Sequence, residues 1–409
     1  MHHHHHPPTV SRRTLLSKII PGALLAPGAF PQNNADMAER FRKMSADYER
    51  KGLAEPFTGI TANGSVEPGL FPIHATGVST APVRTAAERF LASLTAEQRG
   101  RAMFGVDDPE WRKWMNQHFY VRQGVSLKEM TDRQRDAAFG LLGAALSARG
   151  LKLTRDIMKL NETLAELSDD HEFLGEWFYY FTVMGKPSAT EPWGFQLDGH
   201  HAIVNYFVLG DQVVMTPLFV GSEPVTAPSG KYKGLSILQD EQSRGLEMLL
   251  ALDTPLRNRA ILNPNKTDNY NLTEAWKDNV VLDYAGAPAA GFSNAQRGRL
   301  AELVDLYVGN MDDGHARIKM DEVKRHLDRT WFAWVGGADS SSVYYYRIHS
   351  PVILIEFDHQ RPANLARFAK DPKAPTRQHI HCVVRTPNGN DYGKDLLRQH
   401  YQAHQHARG

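Results

Sequence analysis

The spacing of apolar residues divides the chain into a helical part and a strand-rich part. Between residues 131 and 147, Ala138, Leu141, Leu142 and Leu146 recur at helical spacing, and residues 85–170 as a whole carry helical patterns. From residue 172 to 401, runs of aromatic and β-branched residues alternate with Gly, Pro and Asn turns, which predicts strands. Because strands follow helices here instead of alternating with them, we predict an α+β fold with a mainly antiparallel sheet.

The strand-rich part is not uniform. The turn Gly210-Asp211 joins two apolar runs and predicts a hairpin, and two further helices are predicted, over residues 239–252 and from Ser293 onward. A possible helix also precedes the helical part, around Met37–Arg50. No sequence repeat, phosphate-binding glycine motif or nucleophile elbow is visible, which argues against the common nucleotide-binding and serine-hydrolase classes.

The most suggestive chemistry lies near the end of the chain, in the predicted strand Gln378–Arg385. His379 and His381 are two positions apart, so their imidazoles project from the same face of a strand. Such a pair can present two nitrogen ligands to one metal ion. The pair alone is weak evidence, because two solvated or core histidines would give the same pattern.

Two other segments supply further donors from strands. Glu356 lies in an apolar strand that would neighbour the strand of His379 and His381, and His200 and His201 lie beside a predicted hairpin. In a regular strand His200 and His201 point to opposite faces, so only one of them is expected to be a ligand. We therefore predict a metal site drawn from the following residues: His200 or His201, Glu356, His379 and His381.

The alternative for this set is a polar core without metal, in which Glu356 pairs with Arg385 or Arg347. Imidazole and carboxylate donors without a thiolate suit a divalent ion such as zinc, iron, manganese or copper. His400 and Arg385 are the candidates for catalytic roles near such an ion. For His400, which is predicted to lie on a helix, packing is an equally good explanation.

Composition excludes several classes of protein. The 409 residues have 42% hydrophobic and 23% charged residues and a formal net charge of +1, which is typical of a folded protein and gives no bulk attraction to nucleic acid. The single cysteine, Cys382, excludes an internal disulfide and any multi-cysteine metal site. It lies between apolar neighbours on the strand face opposite His379 and His381, so we predict that it packs in the core.

The N-terminus carries targeting information. Residues 2–6 are histidines that resemble a purification tag, and Arg12-Arg13 followed by a short apolar stretch over residues 19–30 resembles a twin-arginine export signal. The apolar stretch is too short to span a membrane. We predict residues 1–35 as tag-like run plus signal, residues 36–409 as one large α+β domain, and a periplasmic or secreted location reached through the twin-arginine export machinery.

Four separated motifs occur in one order: Trp193–His201, Ile355–Asp358, His379–His381 with Arg385, and Asp391–Leu397 with His400 and Tyr401. In these motifs, and over most of residues 85–401, the chain resembles a bacterial family known as domain of unknown function 3500. The family name implies no activity, so the resemblance gives membership and no mechanism.

Two functions follow from these residues. The first is an exported metal-dependent enzyme acting on a small molecule, with hydrolysis slightly favoured over oxidation because no organic-cofactor motif is present. The second is a non-catalytic periplasmic protein that binds a metal or another ligand in the same place. Three protein ligands and an open position would favour the enzyme, and a closed ligand shell would favour the binding protein.

Overall fold

The computed structural model describes residues 34–404, which form an α+β protein as predicted. The ten helices of this part of the chain are α1 (Asn34–Gly52), α2 (Ala81–Ser93), α3 (Ala96–Ala102), α4 (Asp132–Ala145), α5 (Ala148–Ser168), α6 (Gln239–Ala251), α7 (Thr254–Ala260), α8 (Asn294–Val308), α9 (Asp313–Arg325) and α10 (Lys394–Ala403). The predicted export signal and the histidine run lie outside the described residues. No helix between residues 34 and 404 is long and apolar enough to cross a membrane.

The strands form one mixed, mostly antiparallel sheet. They are β1 (Met103–Phe104), β2 (Val125–Ser126), β3 (Tyr179–Met184), β4 (Trp193–Gly199), β5 (Ala202–Leu209), β6 (Gln212–Val214), β7 (Leu218–Ser222), β8 (Ile261–Asn263), β9 (Ala287–Pro288), β10 (Trp331–Gly336), β11 (Tyr344–His349), β12 (Leu354–His359) and β13 (Ile380–Arg385). The order across the sheet is β1-β3-β4-β5-β7-β13-β12-β11-β10-β8, so the last strands of two four-stranded meanders meet at its centre.

The two meanders belong to two halves with the same order of elements, residues 81–222 and residues 239–385. Each half has two helices (α2 and α3; α6 and α7), two short strands that border the first strand of the meander (β1 and β2; β8 and β9), two more helices (α4 and α5; α8 and α9), and the meander. In each half the first short strand pairs parallel and the second antiparallel to that strand.

Details of the two halves match as well. A Cβ on Gly124 would lie 2.2 Å from the carbonyl oxygen of Phe181, and one on Gly286 would lie 2.2 Å from that of Phe332. Both glycines have φ near +90°, so both positions require glycine for conformation and for space. Helices α4 and α8 begin with the same capping box, Thr131 with Gln134 and Ser293 with Gln296. The structure thus contains a repeat that the sequence does not show.

Alternate strand residues separate two apolar layers. Ala202 and Val204 face the helices α2 to α9, while Ile203 and Val383 face a second apolar cluster built from Trp111, Trp114, Tyr392 and other residues of the connecting segments. Cys382 is fully buried on the helix side, as predicted. His381 is two residues from Val383 on β13, so it lies on the side of the second cluster, where connecting segments and the helices α1 and α10 cover the sheet.

Candidate metal centre

Three histidine side chains converge on this second face of the sheet. The Nε2 atoms of His379 and His381 lie 3.0 Å apart, and that of His201 lies 3.3 Å from the first and 3.1 Å from the second. Nitrogens bound to one tetrahedral ion at 2.0–2.1 Å are roughly 3.3 to 3.4 Å apart. The residues present therefore fit a metal ion with little rearrangement, and among described His, Cys, Asp and Glu side chains they are the only group of three that does.

Two of these histidines are placed by the central strand. His379 immediately precedes β13 and His381 is its second residue, so both rings leave the same face, as their spacing predicts. β13 is hydrogen-bonded to β7 on one side and to β12 on the other, with His381 opposite Gly221 and Asp358. Neighbours on both sides hold the two rings on a rigid support.

The third histidine comes from a tight turn. His200 and His201 form the two-residue connection between β4 and β5, where Gly199 pairs with Ala202. His201 has a φ of 64°, its N–H donates to the carbonyl of Asn116 at 3.2 Å, and its carbonyl accepts from Gly221 at 2.9 Å. A left-handed φ is unusual for a residue with a Cβ, and here it turns the His201 ring toward β13. The sequence leaves His200 and His201 as alternatives, because which of them faces the site depends on whether the strand is regular there.

Glycine at position 221 makes room for that ring. A Cβ on Gly221 would lie 3.2 Å from Cδ2 of His201 and 2.6 Å from the carbonyl oxygen of Ile380. A side chain on this strand position would therefore push on both the turn histidine and the strand of the other two.

Hydrogen bonds at Nδ1 indicate which ring nitrogen carries a proton in His379 and His381. Nδ1 of His379 lies 2.6 Å from the carbonyl oxygen of Arg361, and Nδ1 of His381 lies 2.7 Å from Oε1 of Glu274. A carbonyl can only accept, so Nδ1 of His379 carries a proton, and in the neutral form of the ring Nε2 is then a lone pair available to a metal. Contact with the Glu274 carboxylate favours the same tautomer for His381. Burial holds the pKa of His381 and of His201 well below the usual range, so these rings are neutral.

Two carboxylates stand behind the histidines without a cationic side-chain partner. Glu274 contacts His381, and burial raises the pKa of this half-buried carboxyl to about 7. Oε1 of Glu223 lies 4.0 Å from Nδ1 of His379, and the Glu223 carboxylate accepts the backbone N–H groups of residues 363, 364 and 365. In the described part of the chain no lysine or arginine forms an ion pair with either one. Both lie in connecting segments, and no sequence pattern pointed to them.

Glu356, predicted as a ligand, is placed elsewhere. It shares the face of His381, but its oxygens accept from the backbone N–H groups of Leu272 and Thr273, both at 2.9 Å, from the Thr273 hydroxyl, and from the Tyr345 hydroxyl at 2.7 Å. The carboxylate anchors the loop over residues 264–282 to the sheet. We therefore leave Glu356 out of the ligand set, because a buried acid can be satisfied by backbone donors as well as by a metal.

His200, the other candidate from the turn, lies next to the cluster. Its Nδ1 is 2.7 Å from Oδ1 of Asn161, and its ring stacks on that of His201 with centroids 4.0 Å apart. Of the two turn histidines, the structure brings only His201 into the converging group.

The candidates for catalytic roles lie in other contacts. Arg385 is fully buried and donates to Asp391 at 2.7 Å, to Asp278 at 2.6 Å and to the carbonyl of Thr273 at 2.9 Å. Through these contacts it joins the C-terminal segment, the 264–282 loop and β13. His400 lies on α10, with Nε2 3.6 Å from a carboxylate oxygen of Glu191, and is not one of the converging histidines.

A model of the family described as "Protein of unknown function (DUF3500)" matches residues 76–394. The match includes both halves, the three converging histidines, and Glu223 and Glu274. No curated protein and no solved structure matches the chain.

Proposed function

The chain belongs to the DUF3500 family, whose description assigns no activity, and we propose that it is a metal-dependent enzyme, with hydrolysis favoured over oxidation. The ligands in this proposal are His201, His379 and His381. The substrate in this proposal is a small molecule that must gain access to the bound ion.

The observation that carries the proposal is the 3.0 Å separation between Nε2 of His379 and Nε2 of His381. When Glu274 is ionised and both neutral rings carry their proton on Nδ1, both Nε2 atoms are acceptors and no hydrogen bond joins them. Two buried lone pairs aimed at each other are unfavourable unless a cation lies between them. The third nitrogen, from His201, faces the same point.

The charge around the site supports a divalent ion. When ionised, Glu223 and Glu274 bring two formal negative charges to the Nδ1 side of His379 and His381, and neither forms an ion pair with a described lysine or arginine. A doubly charged cation among the three rings would balance these charges. An imidazole-only set suits zinc, iron or copper better than manganese, which prefers oxygen donors.

The number of ligands favours catalysis over a structural role. Three protein ligands are usual in catalytic zinc sites, whereas structural sites have four. When bound, such an ion lowers the pKa of a coordinated water toward about 7, which supplies a nucleophile for hydrolysis. The residues of this chain hold the rings in place: the carbonyl of Arg361 and the carboxylate of Glu274 fix two of them.

A non-catalytic metal-binding protein is the second candidate, and burial of the site favours it. His201, His379 and His381 are each only 4–6% exposed. Metal exchange and activity distinguish the two functions, because an enzyme must admit a substrate to the ion.

The test begins with metal content. A full-length chain in which the histidines at positions 2–6 are replaced by Gln should purify with one zinc, iron or copper ion, measured by plasma emission spectrometry, and should hydrolyse uncharged ester or amide substrates in a chelator-sensitive way. Bound metal without activity on any tested substrate would favour the binding protein. No bound metal, even after reconstitution, would contradict both functions.

We also propose that the chain is exported in folded form through the twin-arginine machinery, on the evidence of Arg12-Arg13. Replacing both by Lys should keep the protein in the cytoplasmic fraction of the producing bacterium. Equal amounts outside the cytoplasm with and without the replacement would contradict this.

A further inference from the structure

We propose that His200 and Asn161 form a clamp that fixes the ring of His201, and that they are positioning residues for the metal site. This inference rests on the proposed function, because its effect is measured on the bound ion. It gives a role to His200 other than that of a ligand and extends the site to helix α5.

The first part of the clamp is the side-chain amide of Asn161, which is held in place by a hydrogen bond. Asn161 is buried on α5, and its Nδ2 donates to the carbonyl of Gly175 at 2.8 Å. That bond fixes the orientation of the amide, so its Oδ1 faces His200. Nδ1 of His200 lies 2.7 Å from this oxygen and must donate to it. One side-chain rotamer and one tautomer of His200 are thereby selected.

The fixed His200 ring then supports His201. The two rings are stacked with centroids 4.0 Å apart and planes 30° apart, and both are about 5% exposed or less. Stacked aromatic rings gain from close contact over their whole area, and no solvent is available here to replace it. A tilt of the His201 ring would break this contact.

His201 needs such support more than the other two ligands. His379 and His381 leave a strand paired on both sides, and each has a hydrogen bond at Nδ1 that fixes its ring plane. His201 leaves a two-residue turn with a φ of 64°. The ring of Phe219 is 6.5 Å away between centroids, too far to take the place of His200. A site loosened at one of three ligands loses affinity even when every ligand is present.

The experiment compares two substitutions of the same residue. In the full-length chain with positions 2–6 replaced by Gln, His200→Phe keeps a ring for stacking and His200→Ala removes it. Cobalt(II) affinity is measured by competition with a chelator, and the visible spectrum of the cobalt form reports ligand geometry. We expect His200→Ala, which loses both the ring and its hydrogen bond, to raise the Kd roughly 100-fold and to shift the spectrum. His200→Phe, which keeps the ring but loses the bond to Asn161, should raise the Kd only about tenfold.

Asn161→Leu tests the other member of the clamp, with Thr163→Val as its matched control. Thr163 is fully buried on the same helix, and its hydroxyl lies 3.4 Å from the carbonyl oxygen of Lys159. We expect Asn161→Leu to raise the cobalt Kd about tenfold and Thr163→Val to leave it unchanged. In the single variant Asn161→Leu, the buried Nδ1–H of His200 has lost its acceptor. Adding His200→Phe removes that unsatisfied donor and leaves two apolar side chains in contact, so the double variant should recover most of the affinity.

Three results would overturn the clamp while the proposed function stands. They are an unchanged Kd in His200→Ala, an equal loss in Asn161→Leu and Thr163→Val, and a loss in His200→Phe as large as in His200→Ala, which would show that the stacked ring gives His201 no support. A parent protein that binds no cobalt overturns both the clamp and the proposed function.

Discussion

Oε1 of Glu274 lies 2.7 Å from Nδ1 of His381, although 107 positions separate the two residues in the chain. Glu274 belongs to the loop over residues 264–282, and His381 to the central strand. The loop therefore takes part in the proposed metal site without supplying a ligand. It is held to the sheet by Glu356 and by Asp358, whose carboxylate accepts the N–H of Tyr270 at 2.6 Å and pairs with Lys266 at 2.6 Å.

The first prediction concerns that contact. Glu274→Gln keeps the size of the side chain but removes the negative charge at Nδ1 of His381. That charge makes Nε2 of the same ring a stronger electron-pair donor to a metal. We expect the metal Kd to rise roughly 10- to 100-fold. The control is Glu247→Gln, an exposed acid on α6, which should change nothing. Metal competition titration gives both values, and equal Kd values for the two variants would contradict a role for Glu274.

The second prediction separates ligands from other buried histidines. His381→Ala should abolish stoichiometric metal binding, because His379 and His201 alone offer two donors. His400→Ala should retain the metal, since His400 lies on α10 and outside the converging group. Plasma emission spectrometry on protein with positions 2–6 replaced by Gln decides this. Full metal retention by His381→Ala would remove the proposed ligand set.

The third prediction concerns Glu356. Glu356→Gln should leave the metal content unchanged and lower the free energy of unfolding by about 1–3 kcal/mol, because one amide oxygen cannot accept all the donors that two carboxylate oxygens accept. Urea unfolding of the apo proteins measures the change. Glu302→Gln, at an exposed position on α8, should alter stability by less than about 0.5 kcal/mol. Loss of metal in Glu356→Gln without loss of stability would return Glu356 to the ligand set.

The fourth prediction is a pH dependence remote from the metal. Burial raises the pKa of Glu110 from 4.5 to about 7, with Lys113 partly opposing the shift. The folded chain then holds a proton that the unfolded chain has released. The stabilisation is complete below pH 4.5 and is lost as pH rises to about 7, by at most about 3 kcal/mol.

Glu110→Gln should remove this loss, so its stability relative to the parent should improve between pH 4.5 and 7. Urea unfolding at a series of pH values measures the difference. Glu97→Gln, at an exposed site on α3, should follow the parent at every pH. A constant difference between Glu110→Gln and the parent across this range would show that Glu110 titrates normally.

The strands and the central pair of histidines could be predicted because their signals are local. Apolar alternation defines β12 and β13, and two-residue spacing alone places His379 and His381 on one face. Which of His200 and His201 joins the other two histidines could not be predicted, since it depends on the left-handed φ of His201, and histidine is not a residue type that indicates such a conformation. The α+β class is confirmed. The structural repeat of the two halves could not be predicted, because matching geometry, such as that at Gly124 and Gly286, does not require matching sequence.

The role of acids was harder to predict than that of histidines. Glu356 looked like a ligand because a carboxylate inside an apolar strand needs a partner, and its partners are backbone N–H groups of a loop 83 and 84 positions away. Glu223 and Glu274, which do stand beside the histidines, lie in connecting segments where an acid is unremarkable. The conformation of the loops determines both the partners of Glu356 and the positions of Glu223 and Glu274, and the periodicity of apolar residues does not predict loop conformation.

The division of the sheet into two halves has a consequence for the order of events in folding. His201 belongs to the first half and His379 and His381 to the second, so the three nitrogens meet only after β7 and β13 have paired. Each meander closes contacts that are nearer along the chain, whereas this meeting closes a loop of 178 to 180 residues, which is slower. Tight metal capture would thus be a late event that only completed molecules undergo. In the proposed export of the folded chain, a bound ion would therefore be found only on molecules whose two halves have paired.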